Sequence, residues 1–122
     1  MHELSVCQGL LAEVQRVAAA HGATEVTGLV VAIGALSGVE APLLSRAFGV
    51  ARCGTIAERA VLRIDETPVV VWCGACGAET EVPANALLCG TCGTWKVDLR
   101  SGDELLLKSV ELTAEEATAA AE

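Results

Sequence analysis

The chain has 122 residues, 52% of them hydrophobic, with 8 basic and 16 acidic residues and a formal charge of -8. That length suits one ordinary domain, or a small domain plus a metal-stapled module too short to bury an adequate core of its own. No apolar run approaches the roughly 20 residues that cross a bilayer, and the acidic balance argues against nucleic acid and against anionic membrane as partners.

The N-terminus has His2 and Glu3 where an export signal would be basic, and Glu13 and Arg16 interrupt the following apolar stretch, so a cytoplasmic protein without a leader is expected. Leu4, Cys7, Leu11, Val14 and Ala18 recur at three and four residues, with Leu10 and Val17 widening the stripe. This predicts an amphipathic helix over about 4–20 that stops at His21-Gly22, where glycine can take the left-handed cap conformation. Residues 24–33 are rich in β-branched side chains and predict a strand with one well-packed face. Gly34 to Gly38 is a turn, and Pro42 suits the first turn of a second helix carrying Leu43, Leu44, Ala47, Phe48 and Val50, which should end near Cys53-Gly54. Residues 60–65 and 104–112 read as two more strands that pair with the first.

Between those two strands Pro68 opens, and Ser101-Gly102 closes, an insertion holding four paired cysteines. The expected fold class is therefore α+β: two helices packed on a small, about three-stranded mixed sheet, with an inserted zinc-ribbon or knuckle module. The domain reading is 1–67 plus 100–113 for the α/β domain, 68–99 for the metal module and 114–122 for a flexible alanine- and glutamate-rich tail.

The quartet is Cys73-Gly-Ala-Cys76-Gly77 and Cys89-Gly-Thr-Cys92-Gly93, with twelve residues between Cys76 and Cys89, an internal repeat of one knuckle. Two-residue spacing lets both thiolates of a pair reach one ion about 2.3 Å away, as tetrahedral zinc requires. The glycine after each pair allows the tight turn that aims backbone N–H groups at the sulfurs. Four thiolates close the coordination sphere, so the expected ion is structural Zn(2+); a rubredoxin-like iron electron carrier and a dithiol redox pair use the same ligands. Trp72 and Trp95 flank the knuckles and are expected to cover the metal site. Residues 68–99 carry Lys96 against Glu79, Glu81 and Asp98, a charge of -2 before the further -2 of a zinc tetrathiolate, which disfavours nucleic-acid binding by this ribbon.

The amino terminus offers a second donor set. The α-amine of Met1, the backbone nitrogen and imidazole of His2 and a donor from Glu3 can close fused chelate rings, and square-planar nitrogen and oxygen sites suit Ni(II) and Cu(II) above zinc. The bland alternative is a solvated N-terminal histidine. Cys7 on the apolar stripe reads as a buried small residue, His21 as a helix-end residue, Cys53 as an exposed thiol with no paired histidine, and Glu40 as a group at the start of the second helix. Neither a Ser/His/Asp set nor a phosphate loop appears, so no enzyme is expected.

Taken together, Met1-His2-Glu3-Leu4-Ser5, the segment from Ile33 to Glu40, the two knuckles and Ser101-Gly102-Asp103-Glu104-Leu105 resemble the HypA/HybF family of hydrogenase nickel-incorporation proteins. The resemblance implies a nickel metallochaperone for [NiFe]-hydrogenase maturation, with Ni(2+) carried at Met1, His2 and Glu3 and zinc held at Cys73, Cys76, Cys89 and Cys92. It implies delivery to the hydrogenase large subunit with the help of a HypB-type GTPase, in a monomer or weak homodimer; some members also serve urease. The chain departs from the family at Gly90, where relatives frequently have proline, and at residues 55–59, where a smaller glycine-containing turn is usual. A zinc-ribbon interaction adaptor with no nickel role is the rival function.

Overall fold

The computed structural model describes residues 2–113, the side chain of His2 excepted. The residues expected to form a flexible tail, 114–122, lie outside the described range. In order, the elements are α1 (His2–Ala20), β1 (Glu25–Gly34), α2 (Ala41–Ala51), β2 (Val61–Thr67), β3 (Val70–Cys73), β4 (Ala78–Glu81), β5 (Val97–Ser101) and β6 (Leu105–Thr113). They form two three-stranded sheets, ordered β2-β1-β6 and β4-β3-β5. No described helix is long and apolar enough to cross a membrane.

The chain divides into two compact units, Met1–Val31 with Glu40–Ile64 and Leu107–Glu122, and Ala32–Val39 with Asp65–Leu106. In the first, the expected stripe of α1 is the buried one: Cys7, Leu11, Val14 and Ala18 all lie in the core. They meet Leu44 and Phe48 of α2, with Val26, Leu29 and Val31 of β1 also buried. Leu43 and Val50 of α2 fall outside this core, Val50 being 69% exposed. The helix α1 ends in a Schellman arrangement, with Ala23 N–H donating to Ala18 O and Gly22 N–H to Ala19 O, and Gly22 at φ 63°. His21 closes the last turn, its Nδ1 lying 2.9 Å from Val17 O.

The strand β1 departs from its expected one-sided packing. As the middle strand it is buried on both faces toward its end, with Val31, Ala32, Ile33 and Gly34 all enclosed. The unusual turn at residues 55–59 is built by side chains in place of glycine: Thr55 Oγ1 donates to Arg52 O (2.7 Å) and accepts from Ala57 N–H (3.1 Å), burying Ala57 and Ala60.

In the second unit β3 runs antiparallel to both β4 and β5. These three strands were not legible as strands within the insertion. Their small core is Val69, Val71 and Val82, backed by Leu36, Ala84 and Val97. The expectation that two tryptophans cover the metal site is corrected here. Trp95 is 71% exposed, and Trp72 is half-buried under the guanidinium of Arg100, which lies 5.5 Å above its ring and reaches toward Glu79 on β4. Aliphatic residues, Val69, Val71 and Val82, supply the core instead.

The base of the insertion is where two of the recognisable sequence segments meet. Gly34 N–H donates to Glu104 O and Leu36 N–H to Gly102 O, so the chain leaving β1 lies against the turn between β5 and β6. A Cβ on Gly34 would stand only 2.0 Å from Gly102 O, and Gly102 itself has φ 116°. The carboxylate of Glu104 braces this turn, accepting from Thr67 Oγ1 (2.7 Å) and Gly102 N–H (2.8 Å), while Ser101 Oγ donates to Pro68 O (2.8 Å).

Candidate metal centre

The two knuckles are built alike. After Cys73 the chain turns through Gly77 (φ 71°), whose N–H donates to Cys73 O; after Cys89 it turns through Gly93 (φ 79°), whose N–H donates to Cys89 O. Positive φ costs glycine nothing, and this is why each pair is followed by one. The strand β3 supplies Cys73 at its end, the tight turn to β4 supplies Cys76, and the loop before β5 supplies the other pair.

The turns bring four sulfurs together. Among the described residues, the ligand atoms of Cys73, Cys76, Cys89 and Cys92 all lie within 4.8 Å of one another. The Sγ atoms of Cys73 and Cys92 are 3.7 Å apart, and those of Cys76 and Cys89 3.5 Å. A tetrahedron of thiolates around an ion at about 2.3 Å has edges of about 3.8 Å, which these two separations match and the 4.8 Å limit on the others approaches. All four are free cysteines; Cys73 and Cys89 are buried, whereas Cys76 and Cys92 are exposed.

Backbone donors prepare the charge. The N–H groups of Thr91 and Cys92 point at Cys89 Sγ at 3.3 and 3.4 Å. Without a metal, these donors, Cys92 N–H first, pull the Cys89 thiol down to about 6, and the Cys76 thiol, hydrogen-bonded to Cys89 and partly desolvated, is pushed up to about 12. The pair thus behaves as one thiolate stabilised by one thiol. An ion displaces that proton, and the same N–H groups then serve the bound thiolate.

One such support was missed from sequence. Gly90 N–H donates to Thr80 Oγ1 at 2.9 Å, tying the second knuckle to β4. Proline, frequent here in relatives, has no N–H to give, and a Cβ on Gly90 would already come within 3.0 Å of Thr80 Cβ. Glycine at this position therefore leaves both the N–H and the space that Thr80 uses.

The remaining candidates are placed as follows. Met1 and the imidazole of His2 lie outside the described residues. Glu3 is in the first turn of α1 and half-buried. Cys7 is fully buried, its Sγ 3.5 Å from Leu44 O, and burial followed by the nearby Glu3 carboxylate pushes its thiol up. Cys53 is exposed in the turn after α2 and its thiol donates to Gly49 O in the last turn of that helix. Glu40 stands at the N-cap position of α2 in extended conformation without a side-chain capping bond.

Residues 1–112 match the family model for hydrogenase/urease nickel incorporation metallochaperones, HypA. The chain is 48% identical to the hydrogenase maturation factor HypA of Nitrosospira multiformis over 92% of this chain and 97% of that one. It is 38% identical to the hydrogenase maturation factor HybF of Salmonella typhimurium over 92% of this chain and 99% of that one. In structure it is similar to the solution structure of the Ni metallochaperone HypA from Helicobacter pylori, with a TM-score of 0.68 at 29% identity over 93% of this chain and 98% of that one. A second HypA solution structure gives a TM-score of 0.71 at 30% identity over 94% of this chain and 98% of that one. The chain belongs to the HypA family of nickel-incorporation metallochaperones that serve hydrogenase maturation.

Proposed function

We propose that this chain carries Ni(2+) at its amino terminus, through Met1, His2 and Glu3, and delivers it to the large subunit of a [NiFe]-hydrogenase in the cytoplasm. In this reading a HypB-type GTPase assists delivery, and Zn(2+) at Cys73, Cys76, Cys89 and Cys92 is structural. The protein moves a metal and catalyses no reaction. Residues 1–67 with 100–113 act as the nickel-binding domain and 68–99 as the zinc-binding domain, in a monomer or weak homodimer.

The observation that carries the proposal is the match of residues 1–112 to the nickel-incorporation family, beginning at the Met1-His2-Glu3 donor set. Local structure supports it. The helix α1 begins at His2, and the first four amides of a helix have no intrahelical acceptor. Nickel can therefore replace an amide proton at His2 or Glu3 without breaking a helical hydrogen bond. Donors at a terminus can also be exchanged one at a time with those of an acceptor, which a cargo site requires. The tetrathiolate offers the opposite: a closed sphere with no open position, supported by N–H donors.

The test is Ni(II) titration of protein with its native amino terminus, beside His2→Ala and a form extended by a few residues before Met1, with total metal measured in each. Nickel uptake should be lost in both variants while zinc is retained. Variants that take up Ni(II) as tightly as the parent would sink the assignment, and an iron-coloured quartet would favour an electron carrier.

A further inference from the structure

The charge of the chain is unevenly placed. Residues 41–64 carry Arg46, Arg52, Arg59 and Arg63 against Glu58, a net +3 within a chain of net -8. This stretch holds α2, the turn after it and the start of β2, all in the first compact unit. A cleft lies there, lined on one side by Ser45, Phe48 and Gly49 of α2 with its C-cap Arg52 and on the other by the chain entering β2 at Ala60 and Val61.

Three features make this cleft a peptide groove. First, Ser45, Phe48, Gly49 and Arg52 are spaced i, i+3, i+4 and i+7, so one continuous helix face forms the wall. Second, β2 is an outer strand in the order β2-β1-β6, so one side of its backbone is not paired within that sheet. Third, the cleft has open space beside Gly49 and an apolar lip. A Cβ on Gly49 would meet nothing within 4 Å, Phe48 forms a floor that is only 3% exposed, and Val61 projects with 70% of its surface in water. Arg52 holds the two walls together, its Nη1 donating to Ala60 O at 2.9 Å while its guanidinium lies 5.7 Å from the Phe48 ring centre. Arg59, with an 83% exposed side chain and a loose 3.8 Å contact to Glu25, stands at the mouth.

A helix face beside an outer strand is the arrangement by which peptides are bound through strand addition, backbone bonds giving affinity and alternate side chains filling the helix–strand groove. We infer that this cleft binds an extended, acidic segment of a partner protein with alternate apolar side chains, which pairs with the outer edge of β2, seats an apolar side chain over Gly49 and Phe48, and places carboxylates against Arg59. The cations that line the cleft, Arg52 and Arg59, favour an acidic partner segment, and they disfavour symmetric pairing with a second copy of this chain, whose corresponding surface is equally basic.

The test uses the full zinc-loaded chain and three fluorescein-labelled ten-residue probes: alternating Glu-Val, alternating Lys-Val, and Glu-Val N-methylated on every second residue. The Glu-Val probe should bind saturably and shift the amide resonances of Val61–Thr67 and of residues 45–52. The Lys-Val and N-methylated probes should bind at least about tenfold more weakly. Gly49→Leu fills the notch from an exposed helix position, and Arg59→Glu reverses the charge at the mouth. Each should weaken the Glu-Val probe by about five- to tenfold while zinc content and helical signal stay as in the parent. Equal binding of the N-methylated probe would overturn strand addition, and equal binding of Lys-Val would overturn the acidic preference. Resonances of Val61–Thr67 that shift with protein concentration in the absence of any probe would assign the groove to a second copy and overturn the proposal.

Discussion

Gly34→Ala should be the most damaging single methyl in the molecule. The new Cβ would stand 2.0 Å from Gly102 O, 2.2 Å from Gly102 C and 2.8 Å from Asp103 N. An ordinary carbon–oxygen contact is above about 3.2 Å, so the two segments must part by more than about 1 Å. They cannot part freely, because Gly102 backs onto buried Val69. Separation also stretches the bonds from Gly34 N–H to Glu104 O (2.8 Å) and from Leu36 N–H to Gly102 O (2.7 Å) beyond bonding range. Two lost hydrogen bonds at about 1 kcal/mol each, with overpacking of about 1–3 kcal/mol, give a cost of about 3–5 kcal/mol. Gly9→Ala is the internal contrast. Its Cβ would meet nothing within 4 Å, in the middle of α1, so it should stabilise by about 0.5–1 kcal/mol. Both tryptophans lie in the second compact unit and both helices in the first. Denaturant unfolding followed by tryptophan fluorescence therefore reads the first substitution, and the far-ultraviolet helical signal reads the second. A Gly34→Ala protein within about 1 kcal/mol of the parent by fluorescence would refute the close approach on which this reasoning rests.

Removing the metal with a chelator, or replacing Cys76 with serine, should lower the midpoint of the fluorescence transition sharply while leaving the helical signal, because Val69, Val71 and Val82 are a small core without an ion. Val71→Ala, at a position 1% exposed, should cost about 1–3 kcal/mol in the same fluorescence assay, whereas Trp95→Ala, at a position 71% exposed, should change stability by less than about 0.5 kcal/mol. In the metal-free protein the Cys89 thiol, drawn from 9.0 to about 6, contributes stability that is fully present above pH 9 and lost as pH falls through 6. The Cys76 thiol, pushed from 9.0 to about 12, contributes stability that is present below pH 9 and lost as pH rises toward 12. The unfolding midpoint of the metal-free second unit should therefore peak near pH 9, and a monotonic profile would contradict the shared-proton arrangement of the two sulfurs.

What could be read from sequence was what is local. The α1 stripe announces its buried face because a helix repeats every 3.6 residues whatever it packs against, and Cys7, Leu11, Val14 and Ala18 lie in the core as expected. The cysteine quartet is legible for the same reason, since ligand spacing and the following glycine are both set within five residues of chain. The misreadings involve distance along the chain. Whether β1 is covered on one face or two depends on what distant segments pack against it, which its own residues do not encode. The strands of the module are four or five residues long, too short for a period to emerge, and one pairing is further shifted by an irregularity between Val70 and Val71. The tryptophans misled because aromatic residues beside a metal motif suggest a cover, while Trp72 instead serves a cross-strand stack with Arg100. Gly34 and Gly102 stood in separate recognisable segments, and nothing short of the fold shows that each is glycine on account of the other.

The two proposed metal positions make opposite demands, and the chain meets them with opposite local structure. A staple must keep its ion, so its ligands come from two turns tied together by Gly90 N–H to Thr80 and supplied with N–H donors at Cys89. Losing the ion would require protons to return to the sulfurs beside Cys89, which lie within 4.8 Å of one another. A cargo site must release its ion, so its proposed ligands stand at the first residues of a helix, where amides have no partner to forfeit. Strengthening the first improves the fold, whereas strengthening the second would defeat delivery. Tight binding at Met1, His2 and Glu3 is therefore useful only if an acceptor can contact the ligands individually, and a docking groove on the same compact unit would hold that acceptor while the ligands change hands.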